Sequence, residues 1–345
     1  MDVAARTRLR TALRSLTPWY RTYHARFVST RPSMHVFDRQ VKLRQRNRAA
    51  AAEDFGEYDY LRDEIAERLC DRLLDIKRKF PAALDLGCGA GSLVRSLGGR
   101  GGITSILQLD ASAEMAKRAE AAAAAAVEAA GADPEGTKLR VETRVADEEA
   151  VELPAETFDL VMSNLSLHWV NDLPSVFAKV RAALKPDGVF LGAMLGGETL
   201  RELRSSFVLA EQERRGGIAP HVSPFAHVPD VGGLLQGAGF ALPTVDTDVV
   251  EVPFADAAAV MSHLQRMGES FAGSGAQRAL AGPETLLATA SVLEEMYGVR
   301  DDDGTLTHIP CTFQVIYFVA WAPHESQPQP KRRGSAGRSL QELGE

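Results

Sequence analysis

Cysteine is scarce in this chain: Cys70, Cys88 and Cys311 are the whole complement of 345 residues. They are too few and too scattered for a disulfide framework or a zinc site, and Cys88, between two glycines, reads as a small side chain fitting a tight turn. Long apolar runs are missing as well. The nearest, residues 311–322 (CTFQVIYFVAWA), falls short of the roughly 18 residues a membrane-spanning helix needs, and its β-branched and aromatic content reads as a buried strand. Acid is missing from one region only. Residues 1–48 hold twelve Arg and Lys against Asp2 and Asp38, so the net charge of −7 divides into +10 there and −17 over the remainder. An arginine-rich, Ser- and Thr-bearing, nearly acid-free opening is the composition of an organelle transit peptide, here placed at residues 1–33. The alternative, a basic arm for nucleic acid, sits badly with an acidic body that would repel a polyanion, and no domain motif for RNA or DNA is found.

What is there begins with Leu84–Leu93, LDLGCGAGSL. A short apolar run ends in Asp85, opens into Gly87, Gly89 and Gly91, and turns helical. Glycines let backbone pass close to a ligand. The spacing D-x-G-x-G-x-G differs from the G-x-G-x-x-G dinucleotide fingerprint. This tighter loop suits a nucleoside carrying an amino-acid tail, and it resembles motif I of the class I S-adenosylmethionine (SAM)-dependent methyltransferases.

Four more apolar runs follow, at Ile103–Leu109, Val141–Ala146, Phe158–Met162 and Gly188–Met194, separated by helical patterns at Ser92–Leu97, Ala111–Ala130 and Leu173–Leu184. Strands alternating with helices predict a parallel sheet with ligands at the strands' carboxyl ends. Asp85, Asp110 and the pair Asp147 and Glu148 all fall at such ends. The expected fold is α/β, of the class I SAM-methyltransferase (Rossmann-like) type, with a mostly parallel seven-stranded sheet and helical elaborations. Thr244–Val252 and Thr312–Trp321 would supply its last two, antiparallel strands. Residues 34–80 read as an N-terminal helical segment and 81–195 as the SAM-binding core. Residues 196–326 continue the same domain, with a glycine- and proline-punctuated lid loop from Gly216, and 327–345 form a polar tail.

The segments VFDRQVKLRQRNRAA, FGEYDYLRDEIAERLCDRLLDIKRKFPAALDLGCGAG, NLSLHWVNDLP, LKPDGVFLGAMLGGETLRELR, GGIAPHVSPF and MGES are more specific than the glycine loop. From about Val36 to Trp321 the chain resembles the mitochondrial complex I assembly factors of methyltransferase fold, described as protein arginine hydroxylases. It departs from them in the alanine-rich stretch near 119–137 and at Gly98–Gly102. The resemblance implies a SAM site in which Asp85, Gly87, Gly89 and Gly91 cradle the methionine tail and Asp110 takes the ribose hydroxyls. Asp147, with Glu148, receives the adenine amine, and Asn164 and Leu165 face the sulfonium. It further implies an arginine of an iron–sulfur subunit of complex I as target, and a matrix location peripheral to the inner membrane. Singly, each residue has a plainer reading, such as Asp110 as a helix cap, though Ser112 can do that.

Hydroxylation normally calls for iron, copper or flavin. Yet the histidines at 35, 168, 221, 227, 263, 308 and 324 form no H-x-D or H-E-x-x-H pattern. His221 and His227 flank prolines and read as loop residues, so no metal ligand and no redox centre is assigned. On the substrate side, His168 is a candidate base, Trp169 a platform for a guanidinium, and Glu198 a carboxylate for an arginine; each reads equally as packing or helix-end charge. Three functions stay open: a SAM-binding arginine hydroxylase, a methyltransferase acting on a protein or small-molecule acceptor, and a non-catalytic assembly chaperone.

Overall fold

The computed structural model describes residues 35–131, 138–274 and 281–328. The transit-peptide reading and nearly all of the polar tail lie outside them. From Val36 onward the chain forms one compact unit. Its sheet has the order β3-β2-β1-β4-β5-β8-β6, with a short β7 on β8. The strands are β1 (Ala82–Leu86), β2 (Ser105–Asp110), β3 (Arg140–Val145), β4 (Phe158–Asn164), β5 (Leu184–Leu195), β6 (Ala241–Phe254), β7 (Val299–Arg300) and β8 (Leu306–Trp321). The first five are parallel, and β8 runs antiparallel between β5 and β6. This is the order of the class I SAM-methyltransferase fold. The chain leaves β1 toward β2 on one side and returns to β4 on the other, so the crevice for a ligand opens beyond the ends of β1 and β4.

Nine α-helices are described: α1 (Arg39–Ala51), α2 (Tyr60–Asp71), α3 (Ser92–Ser96), α4 (Ala113–Ala130), α5 (Leu173–Ala183), α6 (Arg201–Arg215), α7 (Val228–Gly237), α8 (Ala257–Arg266) and α9 (Pro283–Tyr297). Their starts follow local chemistry. Asp38, Ser112, Asp172 and Asp256 each accept a hydrogen bond from the free backbone N–H three residues on, and Gly216 ends α6 in the left-handed region. Helix α7 begins at Val228, directly after His227. Asp230 and His227 cap it reciprocally and Pro229 opens its first turn.

The two faces of the sheet are covered separately. Leu160 and Met162 of β4 share a cluster with Ile65 and Leu69 of α2, while Val161 joins Phe177 and Val180 of α5. That alternation is the period of a strand buried on both sides. Gly192 of β5 leaves space for the Phe318 ring of β8, which a Cβ there would meet at 2.2 Å.

Candidate functional site

The site is built from the loop after β1, the loop after β4, and the two N-terminal helices folded over them. Gly87, at φ 76°, has no room for a side chain: a Cβ would lie 2.2 Å from Ser166 Oγ and 2.8 Å from Glu148 Oε1. The N–H groups of Gly87 and Cys88 both donate to the Leu109 carbonyl, so the loop is strapped to the end of β2. Cys88 is buried and free, and burial pushes its thiol well up, as suits a small packing residue.

Three carboxylates converge here, and Asp85, Asp110 and Glu148 are all buried. Asp110 accepts from the Gly89 N–H at 3.0 Å and the Ser112 N–H at 2.8 Å, while Ser112 itself caps α4. Burial raises the Asp110 carboxyl, with Arg46 opposing and Glu148 adding to the shift. Glu148 accepts from Ser166 Oγ at 2.7 Å and from Arg39 at 2.6 Å. Asp147 sits at the rim, where its half-exposed carboxylate takes Arg39 at 2.8 Å. Of the pair, Glu148 is the one that faces the glycine loop.

Asn164 donates to the Arg62 carbonyl at 2.9 Å and to Ser92 Oγ at 3.0 Å. Leu165 follows at φ 47°, an uncommon left-handed conformation for a leucine and the kind of strain that gathers at functional sites. Asp85 Oδ1, Asn164 Oδ1, Arg46 Nε and His168 Nδ1 are buried with no hydrogen-bond partner. Unmet polar atoms around a glycine loop fit a ligand with a polar tail and a ribose diol.

Burial, reinforced by Asp110 and only partly offset by the Gln108 hydrogen bond, pushes Asp85 up to about 7. In the unfolded chain an aspartate titrates near ~3.9, so between about pH 4 and 7 the folded state holds the extra proton and stability falls as pH rises. At ~1.4 kcal/mol per pH unit the cost reaches about 4 kcal/mol at pH 8. Asp85→Asn is therefore expected to melt higher than the parent chain at pH 8 and equally at pH 4, in thermal unfolding followed by circular dichroism. Parallel melting curves across that range would refute the assignment.

The helical segment before β1 supplies the counter-charges, and these were not among the predicted residues. Arg39, Lys42 and Arg46 occupy one face of α1. Arg46 lies 3.7 Å from Asp110 and 4.0 Å from Glu148. Lys42 donates to the carbonyls of Gly268 (3.0 Å) and Ser270 (2.7 Å) and sits 3.3 Å above the Trp169 ring. The cation on Trp169 in this structure is an internal lysine, in keeping with the packing reading that stood beside the guanidinium platform. Burial pushes Lys42 well below its usual range, against the pull of Glu269. The i, i+3, i+7 spacing of these cations is the one signal in the sequence that marks them.

Glu269, in the MGES segment, is the second residue that sequence reasoning missed. It forms an ion pair with Arg62 through Oε1, accepts from Trp169 Nε1 at 2.5 Å, and lies 3.4 Å from His168 Nε2. Burial alone would raise this carboxyl; Arg62, His168 and Lys42 together hold it below the usual carboxylate range. Burial in turn lowers His168 despite the hydrogen bond and charge of Glu269. His168 and Trp169 therefore pack against α1 and Glu269. Glu198 is not brought to this cluster. It is exposed, 4.0 Å from Arg201, and α6 starts only at Arg201, after Leu200 in a left-handed cap. His221 pairs with Glu211 at 2.8 Å, and His227 caps α7. Among the described residues no group of three or more His, Cys, Asp or Glu is arranged to hold a metal ion.

A methyltransferase domain model matches residues 84–192. Over 332 residues the chain is 42% identical to the mitochondrial arginine-hydroxylase NDUFAF5 of Danio rerio, covering 96% of each. The Homo sapiens NDUFAF5 is 44% identical over 317 residues, 92% of this chain and 86% of that protein. This chain belongs to the NDUFAF5 arginine-hydroxylase family. A malonyl-[acyl-carrier protein] O-methyltransferase of Methylovorus is 32% identical over 292 residues, 84% of this chain and 90% of that enzyme. NDUFAF5 family members carry a mitochondrial designation, and no helix among the described residues here is long and apolar enough to cross a membrane.

Proposed function

We propose that this protein binds SAM and hydroxylates an arginine of an iron–sulfur subunit of mitochondrial complex I during early assembly, from the matrix and in peripheral contact with the inner membrane. The observation that carries the reading is similarity to NDUFAF5 across nearly the whole chain, at 42–45% identity. Glu269, beside His168 and Trp169 and paired with Arg62, puts a carboxylate on that side of the crevice, as an arginine substrate needs.

The residues present fit SAM. Asp110, next to the glycine loop, would take a ribose diol, and Glu148, with Asp147 at the rim, an adenine amine. Asp85 and Asn164 have free oxygens for an ammonium group, and Gly87, Gly89 and Gly91 let the backbone close on the tail. Bound SAM supplies an activated methyl group, or in a hydroxylase a structural element of the site. His168 is buried with Nδ1 unpartnered, an atom that can accept a proton. A second reading, methyl transfer to a protein or small-molecule acceptor, is favoured by the identity to the malonyl carrier-protein methyltransferase.

The deciding experiment is mass spectrometry of the iron–sulfur subunit with the parent chain, with none, and with Asp110→Ala. A gain of one oxygen on an arginine that the variant loses supports hydroxylation. A gain of one methyl group replaces it with the second reading. Neither mark, with assembly still dependent on the protein, leaves a chaperone.

A further inference from the structure

An open cleft of about 520 Å³ lies between α6 and residues 218–227. Phe207, Phe225 and Phe271 give it aromatic walls, and Ile218 stands 63% exposed there. The Phe225 ring is 5.8 Å from that of His168, and the bridge between Gly196 and Ala226 ties the segment to the end of β5. The cleft therefore adjoins the His168 side of the crevice, and its volume is in the range that holds a ligand.

Its charge is one-sided. The described residues that line it include Arg204 and no aspartate or glutamate. Arg204 donates to the carbonyls of Gly197 at 2.9 Å, Thr199 at 3.2 Å and Ser223 at 3.4 Å. These bonds anchor the guanidinium without cancelling its charge, and they leave some of its N–H groups unused. The acids of α6 and its approach are engaged elsewhere: Glu198 lies 4.0 Å from Arg201, Glu202 accepts from Thr312, and Glu211 pairs with His221 at 2.8 Å. Burial lowers Arg204, with Glu198 alone pulling the other way. Beside it Ser223 is buried, and its hydroxyl has no hydrogen-bond partner. A cation without an acid and a hydroxyl without a partner, set among aromatic rings, form the donor set for one carboxylate with apolar neighbours. Resting on the reading that the substrate is a protein, we propose that this cleft docks a peptide segment of that substrate in which one aspartate or glutamate stands among apolar residues. The carboxylate pairs with Arg204 and Ser223, and its neighbours pack on Phe207, Phe271 and Ile218. A free phosphate would leave those walls uncovered, and Arg204 is the single Lys or Arg in the described lining, which suits one acid rather than a polyanion.

The test is calorimetry on the full chain with SAM present. The probes are short overlapping peptides covering the iron–sulfur subunit, each acidic one paired with a twin carrying Asn and Gln. A model peptide with one Glu between Phe residues, and its Gln twin, completes the set. The parent chain should prefer the acid over its twin by about tenfold or more, for the model peptide and for at least one subunit peptide. Arg204→Gln should remove that preference with SAM affinity unchanged. Should Arg204→Gln fail to fold, Ile218→Glu is the second variant. It adds an acid at an exposed position of the wall and should weaken the acidic peptides and not their twins. A folded Arg204→Gln that keeps the preference overturns the proposal, as does a parent chain that tells no acid from its twin. The proposed activity fails separately. Discrimination of the model peptide with no subunit peptide bound keeps the cleft and removes the subunit as its substrate. Oxygen incorporation into the subunit that is equal for the parent and Arg204→Gln at every subunit concentration removes the docking site and keeps the activity.

Discussion

Gly87→Ala is expected to weaken SAM binding by roughly 100-fold or more, about 3 kcal/mol, measured by calorimetry with SAM and its demethylated product. Two penalties combine. A left-handed backbone at φ 76° costs an alanine about 1 kcal/mol, and its methyl would overlap Ser166 Oγ, 2.2 Å away. Ser166 cannot simply turn aside, because its hydroxyl donates to Glu148 and lies 3.4 Å from Arg46. Relieving the overlap displaces the acid expected at the adenine end of the site. Gly56→Ala is the control, since nothing lies within 4 Å of its would-be Cβ. Unchanged affinity in a folded Gly87→Ala would mean that the cofactor does not rest on this loop.

Arg46→Met is the second large effect, and it concerns stability. The side chains of Asp110 and Glu148 have no solvent exposure, and a buried charge left without its partner costs several kcal/mol. Glu148 keeps Arg39, so the loss falls mainly on Asp110. About 3 kcal/mol is expected, or roughly 5–10 °C in Tm. The sign of the pH dependence identifies the cause. Burial already holds the folded Asp110 carboxyl above its ordinary value, and without Arg46 it rises further. The folded variant therefore binds a proton that the unfolded chain does not, and acidification stabilises it relative to the parent. The two Tm values should converge as pH falls from 8 to 5. A gap that stays constant with pH would assign Arg46 to packing.

Helix α1 joins two groups of side chains around the crevice. Its cations neutralise the acids expected to hold the cofactor, and the same helix lays Lys42 on Trp169. The acids beside the glycine loop and the Trp169 ring therefore share one structural element.

Much of this was legible in the residues. The D-x-G-x-G-x-G spacing located the turn after β1, the apolar runs located the strands, and acids at the ends of the first three runs located Asp85, Asp110 and Glu148. These are local signals, because strand period, turn chemistry and helix caps depend on neighbours a few positions away. The histidine and tryptophan after β4 were likewise visible as a pair beside the expected crevice. Their partners were not. Glu269 lies 101 residues beyond His168 and 207 beyond Arg62, and no local pattern marks a lone glutamate in MGES as buried. Glu198, by contrast, had the local features of a site residue and remains on the surface, since Leu200 closes the turn before α6 and leaves it outside. What the sequence determined by itself was the fold, the glycine loop and the acids at the strand ends. Which cations answer those acids, and which carboxylate meets His168 and Trp169, was decided only when α1, α2 and the segment after α8 packed over the crevice, because charge pairing in a buried site is set by proximity in space.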